Sequence, residues 1–221
     1  MARRFDRRVL PEPVIALVRA CQRRVPNRLG GGAALSGAWL SHRLSRDVDL
    51  FFDQAEQMRE LVANLPAVSS ECGVPIAIVR DAGSFIRARL GEGDESLELD
   101  LVHEATAPVD SSRPLVEGVL LESLADLRSA KLTCLLSRSE PRDLVDLLFL
   151  DRAGYAPERD LELALRKDAG IDPAILAWLL RQFPLQPLPV MLEPLTAAEF
   201  VAFRDELAER MRRIVSPPVP D

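Results

Sequence analysis

Two short stretches of the chain alternate strictly between acidic and aliphatic residues, and that alternation leaves few folds open. The first is Asp47-Val48-Asp49-Leu50-Phe51; the second is Leu97-Glu98-Leu99-Asp100-Leu101-Val102. Side chains alternate across a β-strand, so each stretch turns its aliphatic residues to one face and its acids to the other. The apolar faces require a core behind them. Two carboxylates ~4 Å apart at an effective dielectric near ~20 repel each other by about 4 kcal/mol. Solvent relieves that repulsion at a surface. At the end of a core strand a cation must do so, and Mg²⁺, or Mn²⁺ in its place, is the ion expected for oxygen ligands. Asp47 and Asp49 are therefore candidate metal ligands. A third should come from the second stretch, where Glu98 and Asp100 share a face. Asp100, late in the strand between two leucines, is preferred.

A glycine turn precedes the first acidic pair. Leu29-Gly30-Gly31-Gly32 reads as a sharp turn, and residues 33 to about 41, rich in Ala and Leu, read as a helix. Glycines let backbone approach a ligand closely. The helix beginning after them points free N–H groups at that ligand, which suits an anion such as a triphosphate. No Gly-Lys-Ser/Thr follows, so this is not a Walker A loop. Gly31 and Gly32 thus offer phosphate donors on an element adjoining the acids.

The chain changes character along its length. A helix is expected over 9–25, ending near Pro26, and an amphipathic one over 54–64, with Met58, Leu61, Val62 and Leu65 on one face. Strands are expected at 48–52, 76–79, 85–90 and 97–102, and Gly91-Glu92-Gly93-Asp94-Glu95 is a hairpin signal between the last two. After about residue 120 the strand signals stop, and helices follow at 123–137, 141–150, 158–167, 173–183 and 197–214. Its 221 residues suffice for one large domain or two small ones. The expected outline is α+β: a core at 1–120 with a short sheet and flanking helices, a helical module at 121–216, and a Pro-rich tail at 217–221.

Composition removes several function classes. The net charge of -6 argues against a general nucleic-acid footprint. Residues 1–28 hold eight arginines against Asp6 and Glu12, a pattern that reads first as a solvated face and second as a polyanion contact. Cys21, Cys72 and Cys134 are widely spaced, and His42 and His103 cannot complete a zinc site, so free thiols are expected. No apolar run approaches the ~18 residues of a membrane span, and no apolar signal-peptide core follows the basic start. A cytoplasmic protein is expected. Lysine is nearly absent beside arginine, as the codon usage of a GC-rich bacterial genome produces.

That scarcity draws attention to Lys131. Leu124, Leu127, Cys134 and Leu135 recur at helical spacing, and Lys131 lies on their face. A lysine on an apolar stripe snorkels out or meets a buried anion, here a phosphate or a carboxylate. Asp143 and Asp146 are one helical turn apart. Asp143 suits the dipole of a helix start. Asp146, among Val145, Leu147 and Leu148, needs a partner such as Lys131 or Arg142.

Together these residues resemble the AbiEii/AbiGii-type nucleotidyltransferases, a branch of the DNA polymerase β superfold. The motifs are Gly31-Gly32-Ala33-Ala34-Leu35, then Arg43-Leu44-Ser45-Arg46-Asp47-Val48-Asp49. Later come Leu124-Ala125-Asp126-Leu127-Arg128-Ser129-Ala130-Lys131-Leu132 and Arg142-Asp143-Leu144-Val145-Asp146-Leu147. They occur in order over roughly residues 29–150. The resemblance implies a polymerase β-like core with a short mixed sheet. It also implies transfer of a nucleoside monophosphate from an NTP to an acceptor hydroxyl on RNA such as tRNA, on a protein or on a small molecule. In that reading Asp47 and Asp49 bridge two Mg²⁺ ions ~3.5–4 Å apart, and Asp100 joins the second. Arg43, Ser45 and Lys131 neutralise or orient phosphates with Gly31 and Gly32. Arg142, Asp143 and Asp146 give support from behind. The family name further implies a toxin with a cognate antitoxin. Two rival readings of the same residues are a catalytically silent nucleotide-binding relative and a metal-dependent phosphohydrolase. One departure stands out: the family commonly carries Thr or Ser after the two glycines, and Ala33 offers no hydroxyl.

Overall fold

The computed structural model of the chain describes residues 3–93 and 96–215; residues 1–2, Asp94 and Glu95 of the expected hairpin loop, and the expected tail at 217–221 lie outside the described residues. The chain forms two compact units, Met1–Ala107 with Ser111–Ser123, and Pro108–Asp110 with Leu124–Asp221.

The first unit is built on a mixed sheet. Its strands are β1 (Arg28–Gly30), β2 (Asp47–Phe52), β3 (Ile76–Asp81), β4 (Phe85–Leu90) and β5 (Leu97–His103), in the order β1-β2-β5-β4-β3. β2 and β5 run parallel; the other neighbours are antiparallel. The alternation read from sequence holds. Val48, Leu50 and Phe52 are buried while Asp47 and Asp49 on the opposite face are half-buried. On β4 and β5 Ile86, Ala88, Leu99 and Leu101 continue the apolar face. Helices α1 (Glu12–Arg24) and α3 (Ala55–Cys72) supply the rest of that core through Ile15, Leu17, Val18, Met58, Leu61 and Val68. Each such side chain contributes about 1.5–3 kcal/mol when fully buried.

Three local features differ from the expectation. Residues 28–30 form a short strand rather than part of the turn, because their backbone pairs with Asp49–Phe51 of β2. Helix α3 runs past residue 64, through the exposed Pro66, and ends at Gly73, whose φ of 64° gives the left-handed cap. Pro66 has no N–H to donate to the carbonyl four residues before it. A two-stranded ribbon, β6 (Leu115–Val116) and β7 (Val119–Leu120), turns through Glu117 and Gly118, both at positive φ. Such short strands carry no periodic signal.

Six of the eight arginines in residues 1–28 pair with acids. Arg7 pairs with Glu12 and Glu117, Arg8 with Asp6, Arg19 with Glu12, Arg23 and Arg24 with Glu71, and Arg28 with Asp53. This matches an ion-paired face more closely than a patch held open for a polyanion.

The second unit is helical: α4 (Leu124–Ser137), α5 (Pro141–Arg152), a short 3₁₀ turn (Pro157–Asp160), α6 (Leu161–Lys167), α7 (Pro173–Arg181) and α8 (Ala197–Val215). Pro141 sits in the first turn of α5, where its missing N–H costs nothing. The side chain of Asp172 caps α7 by accepting from the backbone N–H groups of Ala174 and Ile175. Helix α4 buries a more polar face than expected. Asp126, Ser129 and Lys131 are buried with Leu127, Leu132 and Leu135, while Leu124 and Cys134 are only half-buried. Asp126 is satisfied by Lys167 at 3.1 Å and by the backbone N–H of Val109 at 2.9 Å. No helix among the described residues is long and apolar enough to cross a membrane.

Candidate active site

The parallel pairing of β2 with β5 sets Asp49 beside Asp100 and Asp47 beside Glu98. All four carboxylates lie on the sheet face away from the apolar core. Neighbouring strands are ~4.8 Å apart, so this face is a dense acidic strip.

The helix α2 (Gly31–Ala34), which continues as a π-helical turn over Leu35–Leu40, starts against the same face. Three consecutive glycines make that possible. Gly31 has φ 60°, and a Cβ there would lie 1.9 Å from Asp49 Oδ2. A Cβ on Gly32 would lie 2.7 Å from Arg43 Nη2 and 2.9 Å from Ser45 Oγ. One on Gly30 would lie 2.2 Å from Glu122 Oε2. The glycines are thus required by close approach, and what approaches is an acid, a guanidinium and a hydroxyl. Gly31, Gly32, Arg43, Ser45 and Asp49 converge around one turn, with Asp47 on the same strand face.

The loop that carries Arg43 and Ser45 is held locally. The Ser36 hydroxyl donates to the Arg43 carbonyl at 2.6 Å, and the Arg43 guanidinium donates to the Leu44 carbonyl at 2.9 Å. Arg43 is buried to 2% exposure. Ala33 is buried as well, at 1%. Glu122, buried at 3% beside Gly30, was not anticipated; it follows β7, and its backbone N–H donates to Leu29.

Asp100 has a partner that sequence reading missed. Arg87 on β4 stands opposite Asp100 in the antiparallel register. Its guanidinium forks the carboxylate, Nε to Oδ1 at 2.8 Å and Nη2 to Oδ2 at 2.7 Å. Nη1 reaches Glu98 Oε2 at 2.7 Å. The Arg87 guanidinium is held well above its usual range, first by the hydrogen bond to Asp100 and then by the charges of Asp100, Glu98 and Asp47. The hairpin expected between 85–90 and 97–102 contained the signal: with Leu90 opposite Leu97, Arg87 falls opposite Asp100.

Lys131, Arg142, Asp143 and Asp146 belong to the helical unit. Lys131 Nζ lies 3.0 Å from Asp143 Oδ1 and 2.7 Å from Asp146 Oδ2. Arg138 forks Asp143 at 2.8 Å through Nε and Nη2. Both aspartate side chains are fully buried. Burial pushes the Asp143 carboxyl up, but the Lys131 charge and the Arg138 hydrogen bond outweigh it, and the net displacement is downward. Lys131 therefore meets carboxylates, one of the two anions its position allowed. Arg142 pairs with Glu140 at 2.5 Å. Burial raises the Cys134 thiol above its usual value, and all three cysteines are free.

A profile for the family described as "Nucleotidyl transferase AbiEii toxin, Type IV TA system" matches residues 20–220. The chain belongs to the AbiEii nucleotidyltransferase family. Two solved structures share the fold of this AbiEii chain. JHP933 from Helicobacter pylori aligns with a TM-score of 0.59 and 21% identity over 92% of this chain and 90% of that one. MenT4, the nucleotidyltransferase toxin Rv2826c from Mycobacterium tuberculosis H37Rv, aligns with a TM-score of 0.56 and 14% identity over 91% of this chain and 84% of that one. No curated protein matches the chain significantly. The polymerase β-like α+β core with its short mixed sheet, followed by helices, is the fold these AbiEii motifs implied.

The carboxylates on this face suit a hard divalent ion. Asp47 and Asp49 are hard oxygen donors, and Mg²⁺ is commonly held by one or two carboxylates plus substrate phosphates. Asp100 lies level with Asp49 on the neighbouring strand, and both its oxygens accept from Arg87. Among the described residues no group of three or more His, Cys, Asp or Glu is placed to hold a metal ion.

Proposed function

We propose that the chain is a Mg²⁺-dependent nucleotidyltransferase that moves a nucleoside monophosphate from an NTP to an acceptor hydroxyl, acting in the cytoplasm as the toxin of a toxin–antitoxin pair. One observation carries this reading: Asp49, Arg43 and Ser45 crowd the Gly31-Gly32 turn on the face that also bears Asp47. A carboxylate pair beside phosphate-binding donors is what an NTP–Mg²⁺ complex needs. Family membership supports the transfer chemistry, the NTP donor and the antitoxin partner.

In this reading the turn at Gly31-Gly32 brings backbone to the triphosphate. Arg43 adds a fixed positive charge, and Ser45 a hydroxyl donor. Ala33 contributes backbone alone. Asp47 and Asp49 would hold the divalent ion, which would supply positive charge to the phosphates. The acceptor hydroxyl oxygen bonds to the α-phosphorus, the bond from that phosphorus to the bridging oxygen of the β-phosphate breaks, and the hydroxyl proton passes to solvent. Lys131 with Asp143 and Asp146, and Arg142 with Glu140, serve as the charge framework of the helical unit.

The test is incubation with α-labelled NTPs, Mg²⁺ and either total RNA or cellular protein. Label should enter one acceptor pool with release of pyrophosphate, and Asp49→Asn should abolish it. Free phosphate in place of pyrophosphate would make the chain a phosphohydrolase. Nucleotide binding without transfer, unchanged in Asp49→Asn, would make it a silent relative.

A further inference from the structure

We propose that Phe51 receives the nucleobase of the donor nucleotide: the base stacks on its ring while the triphosphate lies along the strand toward Ser45. This rests on the functional reading above and adds to it a subsite for the part of the nucleotide that is not phosphate.

Three glycines in succession meet three different chemistries. A Cβ on Gly30 would lie 2.6 Å from Cε2 of the Phe51 ring, and one on Gly31 1.9 Å from Asp49 Oδ2. One on Gly32 would lie 2.9 Å from Ser45 Oγ and 2.7 Å from Arg43 Nη2. Followed from Arg43 to Phe51, the chain therefore sets a guanidinium and a hydroxyl, then carboxylates, then an aromatic ring against one turn. An NTP presents the matching order: terminal phosphates, an α-phosphate with its metal ion, and a planar base beyond the ribose. Along a strand the step from Asp49 to Phe51 is about 6.6 Å, the room one ribose takes between an α-phosphate and its base.

The ring is also on the right face. Phe51 shares the face of Asp47 and Asp49 and is half-buried, whereas Phe52 faces the core and is fully buried. The cross-strand neighbour of Phe51 is Val102, and opposite Val102 on β4 stands Phe85. All three are half-buried. An apolar row thus runs beside the charged row of Asp49, Asp100 and Arg87. Its Phe85 end is attended by Arg80 and Arg87, whose guanidinium carbons lie 5.8 and 5.4 Å from the ring centroid. Its Phe51 end abuts the glycine turn. The three side chains offer ring and aliphatic surface and no hydrogen-bonding group. Stacking on such a surface accepts every base, and preference follows stacking strength. Purine NTPs, with the larger rings, are therefore favoured over pyrimidine NTPs.

The test is equilibrium binding to the full chain, with Mg²⁺, of non-hydrolysable ATP and UTP analogues and of inorganic tripolyphosphate, which carries no base. Wild type should bind the adenosine analogue more tightly than the uridine one. Phe51→Leu keeps apolar bulk and removes the ring; it should weaken the adenosine analogue about 5–100-fold, the scale of losing one base–aromatic stack, and leave tripolyphosphate binding unchanged. Phe51→Tyr keeps the ring and should bind both as wild type does. An equal loss of analogue and tripolyphosphate in Phe51→Leu would make Phe51 a packing residue of the turn. No loss of either would take the base off the ring. Each of these results, or a wild type that prefers the uridine analogue, would overturn the inference and leave the functional reading intact. A wild type that binds neither analogue nor tripolyphosphate would overturn the functional reading, and the inference with it.

Discussion

The chain contains two carboxylate clusters, one in each unit, and they are built on opposite principles. In the helical unit Asp143 and Asp146 are fully buried and bound by Lys131, with Arg138 on Asp143. On the sheet, Asp47 and Asp49 are half-buried and border a turn made of glycine, and Asp100 is forked by Arg87. The helical cluster is closed: every charge has its partner within the fold, and no side is left for a ligand. The sheet cluster is open in the sense that Asp47 and Asp49 are half-buried rather than buried. A buried ionic cluster adds little net stability when complete, but removing one partner destabilises the fold strongly. Open ones tolerate the loss of a charge but lose binding. In the proposed function the same residue type serves stability in one unit and chemistry in the other, and burial separates the two.

The largest expected effect comes from breaking the closed cluster. Lys131→Met keeps the stem and removes the charge, leaving Asp146 and part of Asp143 buried without it. Breaking a buried pair from one side costs about 3–5 kcal/mol. Denaturant titration should show a loss of that size. A shift under about 1 kcal/mol, the usual limit for an exposed pair, would mean that solvent reaches the cluster and that the contrast between the two sites is false.

The next effect is on activity. Asp49→Asn should lower label transfer by about 10²–10³-fold, the scale of removing one charge-stabilising group from an active site. Its melting temperature should fall less than that of Lys131→Met, since Asp49 is half-buried and the amide keeps the shape of the carboxylate. A large fall in melting temperature would place Asp49 with the structural cluster instead. Gly31→Ala should sit between the two in kind and below both in size. Its φ of 60° and the 1.9 Å approach to Asp49 both oppose a Cβ. A left-handed residue with a side chain costs about 1–2 kcal/mol, so stability should fall by that amount while transfer falls further, because Asp49 must move.

The open cluster was more legible in sequence than the closed one. Strand alternation placed Asp47, Asp49, Glu98 and Asp100 on one face, and that face exists. The glycine turn was legible because only glycine tolerates what the structure places there. Arg87 was missed because its role depends on which strands pair, a property of two segments rather than one. In the helical unit the face of α4 was read as apolar with one lysine, yet Asp126 and Ser129 are buried on it. Asp126 is admitted to the interior by Lys167, forty-one residues on, and a periodicity argument confined to one helix cannot see such a partner. Strand β1 was hidden because three residues ending in glycine become a strand only by pairing with β2.

The smallest effect is one of acidity, and it separates the clusters without disturbing the site. The folded chain holds Asp143 below its ordinary value of 3.8, with burial opposing and Lys131 and Arg138 prevailing. A carboxyl depressed in the folded state contributes stability that is fully present above its unfolded value. That contribution is lost as pH falls through the folded value. Wild type should therefore lose stability on acidification below about pH 4, as the unfolded chain takes up a proton that the folded chain refuses. Asp143→Asn should remove this part of the slope. In Lys131→Met the balance shifts toward burial, which favours the neutral acid, so the same acidification should cost that variant less than it costs wild type. Unfolding free energies measured from pH 3 to pH 7 on the three proteins test the sign directly. Parallel curves would show that Asp143 is not held by the charges around it, and the closed cluster would then be closed by packing alone.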